Sequence, residues 1–129
     1  MEDRPVYNWD SKNILVVEDD ESSAFLLKSF LKDTGASIVF TKDGKKAVDY
    51  VRQHPETDLI LMDIHLPEKD GFTATREIKS FARDVVVIVQ TADAYSIEQQ
   101  EALRAGCDAY LTKPLNMSLL LDKMDSYLS

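Results

Sequence analysis

The sequence predicts a doubly wound α/β domain: five β–α units in a three-layer sandwich around a single parallel sheet of strand order 2-1-3-4-5. Short all-apolar runs alternate with longer segments of helical period, the pattern of strands that helices cover on both faces. Polar residues gather just after most of these runs, at the carboxyl ends of the predicted strands, where open α/β sheets bind their ligands. No internal repeat or low-complexity segment breaks the alternation. A chain of 129 residues suits one core, which at this size buries roughly two-thirds of the unfolded chain's surface.

Residues 1–12 precede the pattern. They mix Pro5, Asn8, Asp10 and Ser11 with Tyr7 and Trp9 without a period, so a tail or linker that packs loosely or not at all is expected, with the domain proper at 13–129. The runs Ile14–Val17, Ile38–Phe40, Leu59–Met62, Val85–Val89 and Ala109–Leu111 predict the strands. Helices are expected near 21–34, 43–54, 70–81, 96–105 and 116–128. Ala24, Leu27 and Leu31 make one core-facing stripe, Ala47, Val48 and Val51 a second, and Ala74, Ile78 and Phe81 a third. In the last helix Met117, Leu120, Leu121, Met124 and Leu128 have core spacing, while Leu119 and Tyr127 widen the apolar surface beyond one stripe. Gly35, Gly44, Gly71 and Gly106 stand beside helix ends, and Pro55, Pro67 and Pro114 stand in loops.

Composition narrows the classes of function. Lys and Arg number 15 against 23 Asp and Glu, and the formal net charge of −8 disfavours direct binding to nucleic acid or to anionic membranes. Protein partners or bound cations fit better. Cys107 is the only cysteine, which excludes an intramolecular disulfide and a four-thiolate zinc site and makes a reducing, cytoplasmic setting the simpler expectation. No apolar run approaches the roughly 20 residues that span a bilayer, and the start Met1-Glu2-Asp3-Arg4-Pro5 lacks a signal-peptide pattern. No membrane contact by this domain is expected, although a membrane-anchored parent protein is compatible with it.

The chemistry gathers at the strand ends. The first strand runs into Glu18-Asp19-Asp20-Glu21, the third into Asp63, the fourth into Gln90-Thr91-Ala92 and the fifth into Thr112-Lys113-Pro114. If strands 1 and 3 are neighbours, about 4.8 Å apart, Glu18, Asp19 and Asp63 converge. Each like-charge pair at about 4 Å then costs about 1 kcal/mol in water and about 4 kcal/mol at an effective dielectric of 20. A hard divalent cation with oxygen ligands and retained waters, Mg2+ or Mn2+, answers that charge. Acids after a strand also cap the next helix, the role assigned to Asp20 and Glu21; taken alone, Glu18 and Asp19 fit capping or solvation as well as they fit a metal site.

Asp63 and Lys113 shift that balance. Asp63 directly follows four apolar residues, where a lone buried carboxylate is costly without a partner such as a metal or Lys113. A carboxylate held this way is a competent nucleophile toward phosphorus, giving an acyl phosphate whose charge a metal offsets. Lys113 offers a compact positive charge, Thr91 a hydroxyl donor and Ala92 a backbone N–H, a set that suits three phosphoryl oxygens.

The motifs Ile14–Glu21 (ILVVEDDE), Leu59–Pro67 (LILMDIHLP), Asp70-Gly71, Gln90-Thr91-Ala92 and Tyr110–Pro114 (YLTKP) resemble the receiver domain of two-component response regulators, over about residues 13–128. The resemblance implies a flavodoxin-like fold and a signalling phosphoacceptor rather than a turnover enzyme. Asp63 would accept phosphate from the phosphohistidine of a histidine kinase or histidine phosphotransfer domain. Glu18 and Asp19 would support Mg2+, the backbone carbonyl of His65 would complete its protein ligands, and Lys113 and Thr91 would contact the phosphoryl group. Many family members carry Asp where Glu18 stands; Glu adds one methylene of reach and keeps the metal-site role, through water. The family's switch couples the threonine ending strand 4 to an aromatic on strand 5, the places held by Thr91 and Tyr110. The family often uses the face of helix 4, strand 5 and helix 5 for partners, so a homodimer through it is a further expectation.

The His65 side chain does not suit an all-oxygen site for a hard ion and is expected instead to shape the access of water to the acyl phosphate, while His54 beside Pro55 reads as a solvated helix end and Cys107 as a small packed residue. Since residue 129 falls just past the fifth helix, output through contact with something else is expected. A stand-alone relay protein and the receiver of a hybrid histidine kinase both fit; Asp70-Gly71, Ala74-Thr75-Arg76 and Ala105-Gly106-Cys107-Asp108 look like hybrid-kinase receivers. Three alternatives stand beside the receiver reading. A haloacid-dehalogenase-like phosphohydrolase would want a second Asp where His65 stands, a flavodoxin-like flavin-binding module would want a Ser/Thr/Gly-rich phosphate loop after the first strand, and a non-phosphorylated pseudo-receiver would not need the full set Glu18, Asp19, Asp63, Thr91 and Lys113.

Overall fold

The chain's structure, a computed structural model, describes residues 7–91 and 96–128. Five strands, β1 (Asn13–Val17), β2 (Ser37–Thr41), β3 (Leu59–Asp63), β4 (Val86–Thr91) and β5 (Ala109–Thr112), alternate with five helices. These are α1 (Glu21–Leu31), α2 (Gly44–Gln53), α3 (Gly71–Phe81), α4 (Ser96–Ala105) and α5 (Met117–Leu128). All strand pairs are parallel and the order is β2-β1-β3-β4-β5, the doubly wound arrangement expected from the sequence. None of the described helices is long and apolar enough to cross a membrane.

Three helices start on an aspartate. Asp20, Asp43 and Asp70 are the N-caps of α1, α2 and α3, and their carboxylates accept from the N–H groups of Ser23, Lys46 and Thr73 at 2.8, 2.7 and 2.9 Å. The first helix is shorter than its period suggests. Residues Lys32–Thr34 tighten into a 3-10 turn, the Thr34 hydroxyl donates to the Leu31 carbonyl at 2.6 Å, and Gly35 leaves the turn at φ 90°.

Side-chain alternation sorts the strands into two cores. Leu15, Val17, Ile60, Met62, Val87 and Val89 face Ala47, Val51, Ala74, Ile78 and Ala102 of α2, α3 and α4. Ile14, Val16, Leu59, Leu61 and Ile88 face Leu27, Leu31, Leu120, Met124 and Leu128 of α1 and α5. All five residues of β3 are buried, which is why its sequence is apolar up to Asp63.

The structure corrects two expectations. Residues 7–12 do not hang loose: Trp9 is 1% exposed, packs with Leu128 and Met124, and donates its indole N–H to Asp125 at 2.8 Å, while the Tyr7 hydroxyl donates to Asp122. An aromatic in an aperiodic segment thus completes the α5 side of the core. Phe81, assigned to the core stripe of α3, is instead 38% exposed at the helix end, under the Arg52 guanidinium at 4.3 Å.

Replacing Trp9 with Ala should therefore destabilise the domain by about 3–5 kcal/mol, and Trp9→Phe, which keeps a ring but loses the N–H, by less. Urea denaturation midpoints measure both; an unchanged midpoint for Trp9→Ala would show that the segment is not part of the fold.

Candidate functional site

The register of the sheet builds the site. Val17 pairs with Met62, so Glu18 and Asp19 emerge beside Asp63; Thr91 pairs with Thr112, and the Lys113 N–H donates to the Thr91 carbonyl at 2.7 Å. Lys113 is thereby carried to the end of β4 and onto β3. Its ammonium lies 3.2 Å from Asp63 Oδ2 and 3.7 Å from Glu18 Oε1. Oxygens of Glu18, Asp19 and Asp63 lie within 4.8 Å of one another, with Glu18 and Asp63 buried and Asp19 exposed.

Backbone packing holds Asp63 in place. The His65 N–H points at Asp63 Oδ1 at 3.4 Å, the Ile64 N–H donates to the Gln90 carbonyl at 3.3 Å, and the Gly71 N–H donates to the Ile64 carbonyl at 2.8 Å. A Cβ on Gly71 would fall 2.2 Å from the Asp63 carbonyl oxygen, so only glycine lets α3 begin this close to the strand end. Asp20 caps α1 as expected and also turns its N–H onto Glu18 Oε2 at 3.1 Å.

The family model described as the response regulator receiver domain matches residues 14–125. The chain belongs to this family. The polar-differentiation response regulator DivK of Brucella ovis is 34% identical over 120 residues, covering 92% of this chain and 97% of DivK. Among solved structures, the receiver domain of a sensor histidine kinase from Pseudomonas aeruginosa PAO1, with a magnesium ion coordinated in its active-site cleft, is 33% identical at a TM-score of 0.83 and covers 91% of this chain and 97% of its own. The Saccharomyces cerevisiae receiver domain of Ssk1, co-crystallised with the histidine phosphotransfer signaling protein Ypd1, is 28% identical at a TM-score of 0.87, covering 97% and 92%.

The receiver's acidic cluster fits Mg2+. All its donors are oxygens, and the buried Glu18 Oε1 has no hydrogen-bond partner, a cost that a cation would relieve. Burial pushes the Glu18 carboxyl up to about 7; the Asp63 charge adds to this, while the Asp20 N–H and Lys113 oppose it. Burial pulls Lys113 down, but the charges of Asp63 and Glu18 outweigh it and hold the ammonium above its ordinary value.

Other predicted residues fall where the register puts them, with two refinements. Thr91 is buried, and its hydroxyl donates to the carboxylate of Glu98 on α4, a partner seven residues away across a loop that no local pattern reveals. Tyr110 is half-buried on β5, packed against the core that faces α2, α3 and α4. Ala92 lies outside the described residues. Cys107 is buried as expected, and burial pushes its thiol up to about 11, away from reactivity. The His65 side chain is exposed.

Glu18 sets a pH dependence. A carboxyl whose folded value is raised from 4.5 to about 7 takes up its proton more readily when folded, so its contribution to stability is present below 4.5 and lost as pH rises through about 7. Bound Mg2+ requires the carboxylate and acts in the opposite sense. The rise in thermal midpoint caused by Mg2+ should be larger above pH 7 than below it. Equal rises on both sides would remove Glu18 from the metal site.

Proposed function

We propose that this receiver takes a phosphoryl group onto Asp63 from the phosphohistidine of a histidine kinase or histidine phosphotransfer domain. The observation that carries the proposal is the placement of Asp63: 4% exposed at the end of the central strand, with Lys113 at 3.2 Å and Glu18 and Asp19 beside it. A carboxylate so held keeps its nucleophilic oxygens in a fixed position, and one exposed side of the cluster, Asp19, leaves an approach for the donor. Glu18, Asp19, Asp63 and the His65 backbone carbonyl would hold Mg2+, or Mn2+ in its place. When bound, the cation would offset charge on the phosphoryl oxygens. Lys113, Thr91 and the Ala92 N–H would take up those oxygens by ion pairing and hydrogen bonding. Residues 13–129 form the receiver body in this reading, with 1–12 leading into it.

Exposed apolar side chains supply places for partners. Phe25, Leu26 and Phe30 of α1 are 73%, 48% and 43% exposed, with Phe25 in the groove that also holds Glu18 and Asp19; this surface suits the helices of a phosphohistidine donor, and the yeast relative above was crystallised with a histidine phosphotransfer signaling protein. A second surface, with exposed Leu103 on α4 and Leu119 on α5, flanks a cleft of about 460 Å3 lined by Tyr110, and would serve a homodimer or an output partner. The domain would act as a signalling phosphoacceptor in the cytoplasm, as a relay protein or within a hybrid histidine kinase.

Thr91 would link acceptor to output. A threonine hydroxyl has one proton to donate, and here it goes to Glu98. Contact with a phosphoryl group would require Glu98 to release it, opening space behind Thr91 for Tyr110 to turn inward.

Incubation with acetyl phosphate and Mg2+ should add one phosphoryl mass per chain, acid-stable and base-labile, and none to Asp63→Asn; an equal adduct on that variant would sink the assignment. Glu98→Ala should speed labelling by up to about tenfold, the lower end of what a hydrogen bond to a charged acceptor is worth. In a Thr91→Ala background the same substitution should change nothing; an equal gain there would show that Glu98 acts otherwise.

A further inference from the structure

Gly44, the first residue of α2, is buried and belongs to none of the groups assigned to the site above. It does not hold a left-handed φ, as Gly35 and Gly106 do, so the backbone there does not call for glycine. Space calls for it instead. A Cβ on Gly44 would fall 2.0 Å from the Lys69 carbonyl oxygen and 2.8 Å from the carbonyl carbon, and a backbone group cannot turn aside as the tip of a side chain can. The start of α2 therefore bears directly on the connection between β3 and α3, the segment that leaves Asp63 and carries His65.

That connection has little slack. The Leu66 N–H donates to the Ile64 carbonyl at 3.1 Å and the Lys69 N–H to the Pro67 carbonyl at 2.7 Å, both closing three-residue turns. Pro67 has a fixed φ, and Glu68 is held at φ 65°, a region that residues other than glycine enter only at a cost. Leu66 packs against the core that faces α2, α3 and α4, and the Lys69 ammonium is tied to Glu77 of α3. Lys69 is thus gripped twice, by α2 at its backbone and by α3 at its side chain. A push on its carbonyl passes along the short turns toward His65, because no free torsion between them can absorb it.

We infer that Gly44 is a positioning residue for the cation site: by admitting the Lys69 carbonyl against α2, it sets where the β3–α3 connection lies and with it the place of the His65 backbone carbonyl. This role rests on the assignment of that carbonyl to Mg2+ in the reading proposed above. Glu18, Asp19 and Asp63 are placed by the pairing of β1 with β3, whereas the His65 carbonyl is the one proposed ligand on an irregular segment. Its position therefore depends on what packs against that segment. Mg2+ tolerates little departure from octahedral geometry, so a small shift of one ligand is felt as lost affinity. A helix that supplies no ligand would in this way tune the metal.

Mg2+ titrations of the full 15N-labelled chain, followed through the amide shifts of residues 63–71, read the effect without a phosphoryl donor. Gly44→Ala should raise the Mg2+ Kd by about tenfold, the lower end of what misplacing a ligand's support costs, and should shift the His65 and Leu66 amides before Mg2+ is added. Val51→Ala, a core truncation further along the same helix, should lower stability and leave the Kd unchanged. Lys69→Ala keeps Gly44 and releases only the tie to Glu77; it should weaken Mg2+ by about threefold, the scale of a partly exposed ion pair, although loss of a positive charge alone would tighten it. With acetyl phosphate, Gly44→Ala should label slowly at low Mg2+ and at the wild-type rate once Mg2+ saturates. An unchanged Kd in Gly44→Ala, an equal loss in Val51→Ala, or labelling that stays slow at saturation would each overturn the inference. Should Gly44→Ala fail to fold, an unchanged or tighter Kd in Lys69→Ala would do so. A chain that shows the expected Mg2+ affinities but takes no label would overturn the phosphoacceptor reading and leave the role of Gly44 standing, whereas a wild type that binds no Mg2+ would overturn both.

Discussion

Two carboxylates about 4 Å apart repel by about 4 kcal/mol at an effective dielectric of 20, and parallel pairing of β1 with β3 brings three of them to within 4.8 Å at the carboxyl end of the sheet. This charge density is the constraint on which the rest of the domain turns. Lys113 answers part of it, reaching both buried acids from the end of β5, but one ammonium against three carboxylates leaves the site negative. Burial raises Glu18 to about 7 and the Asp63 charge adds to it, so without a further cation the cluster tends to hold a proton instead. A site in that condition is prepared for a divalent ion.

Holding such a cluster together requires a scaffold that does not yield. The wholly buried β3 provides it, with helices packed on both faces and α3 set directly against the Asp63 backbone through Gly71. Asp63 and Thr91 are the last residues of β3 and β4, while Glu18, Asp19 and Lys113 stand just past β1 and β5, so strand register places all five. The acceptor and Thr91 are fixed in the buried sheet, and the partly exposed Lys113, on its long side chain beyond β5, is the contact freest to follow a change of charge.

Much of this was legible in the sequence because both faces of a parallel sheet are covered. Runs such as Leu59–Met62 must then be apolar throughout, and a carboxylate directly after one stands out. The site residues sit in short motifs at strand ends, so their convergence follows from strand order alone. What was not legible depends on partners distant in sequence or separated by a loop. Trp9 is buried by α5, with its indole N–H on a residue 116 positions away, and nothing in its own neighbourhood has a period to announce this. Phe81 keeps helical spacing with Ile78, yet the helix ends there and the ring is left to Arg52.

β4 joins these features in one strand. Asp63 pairs with Gln90, and the side chains of Gln90 and Thr91 leave the strand on opposite faces, one toward α1 and α5 and the other toward α4. The end of a single strand beside the proposed acceptor therefore contacts both layers of the sandwich. Thr91 carries a polar group whose proton is already committed to Glu98, and Gln90 carries one whose bonding capacity is unspent. A change at Asp63 that engages the Thr91 hydroxyl would have to break an existing bond on the α4 side, so Glu98 opposes such a change in proportion to the strength of that bond.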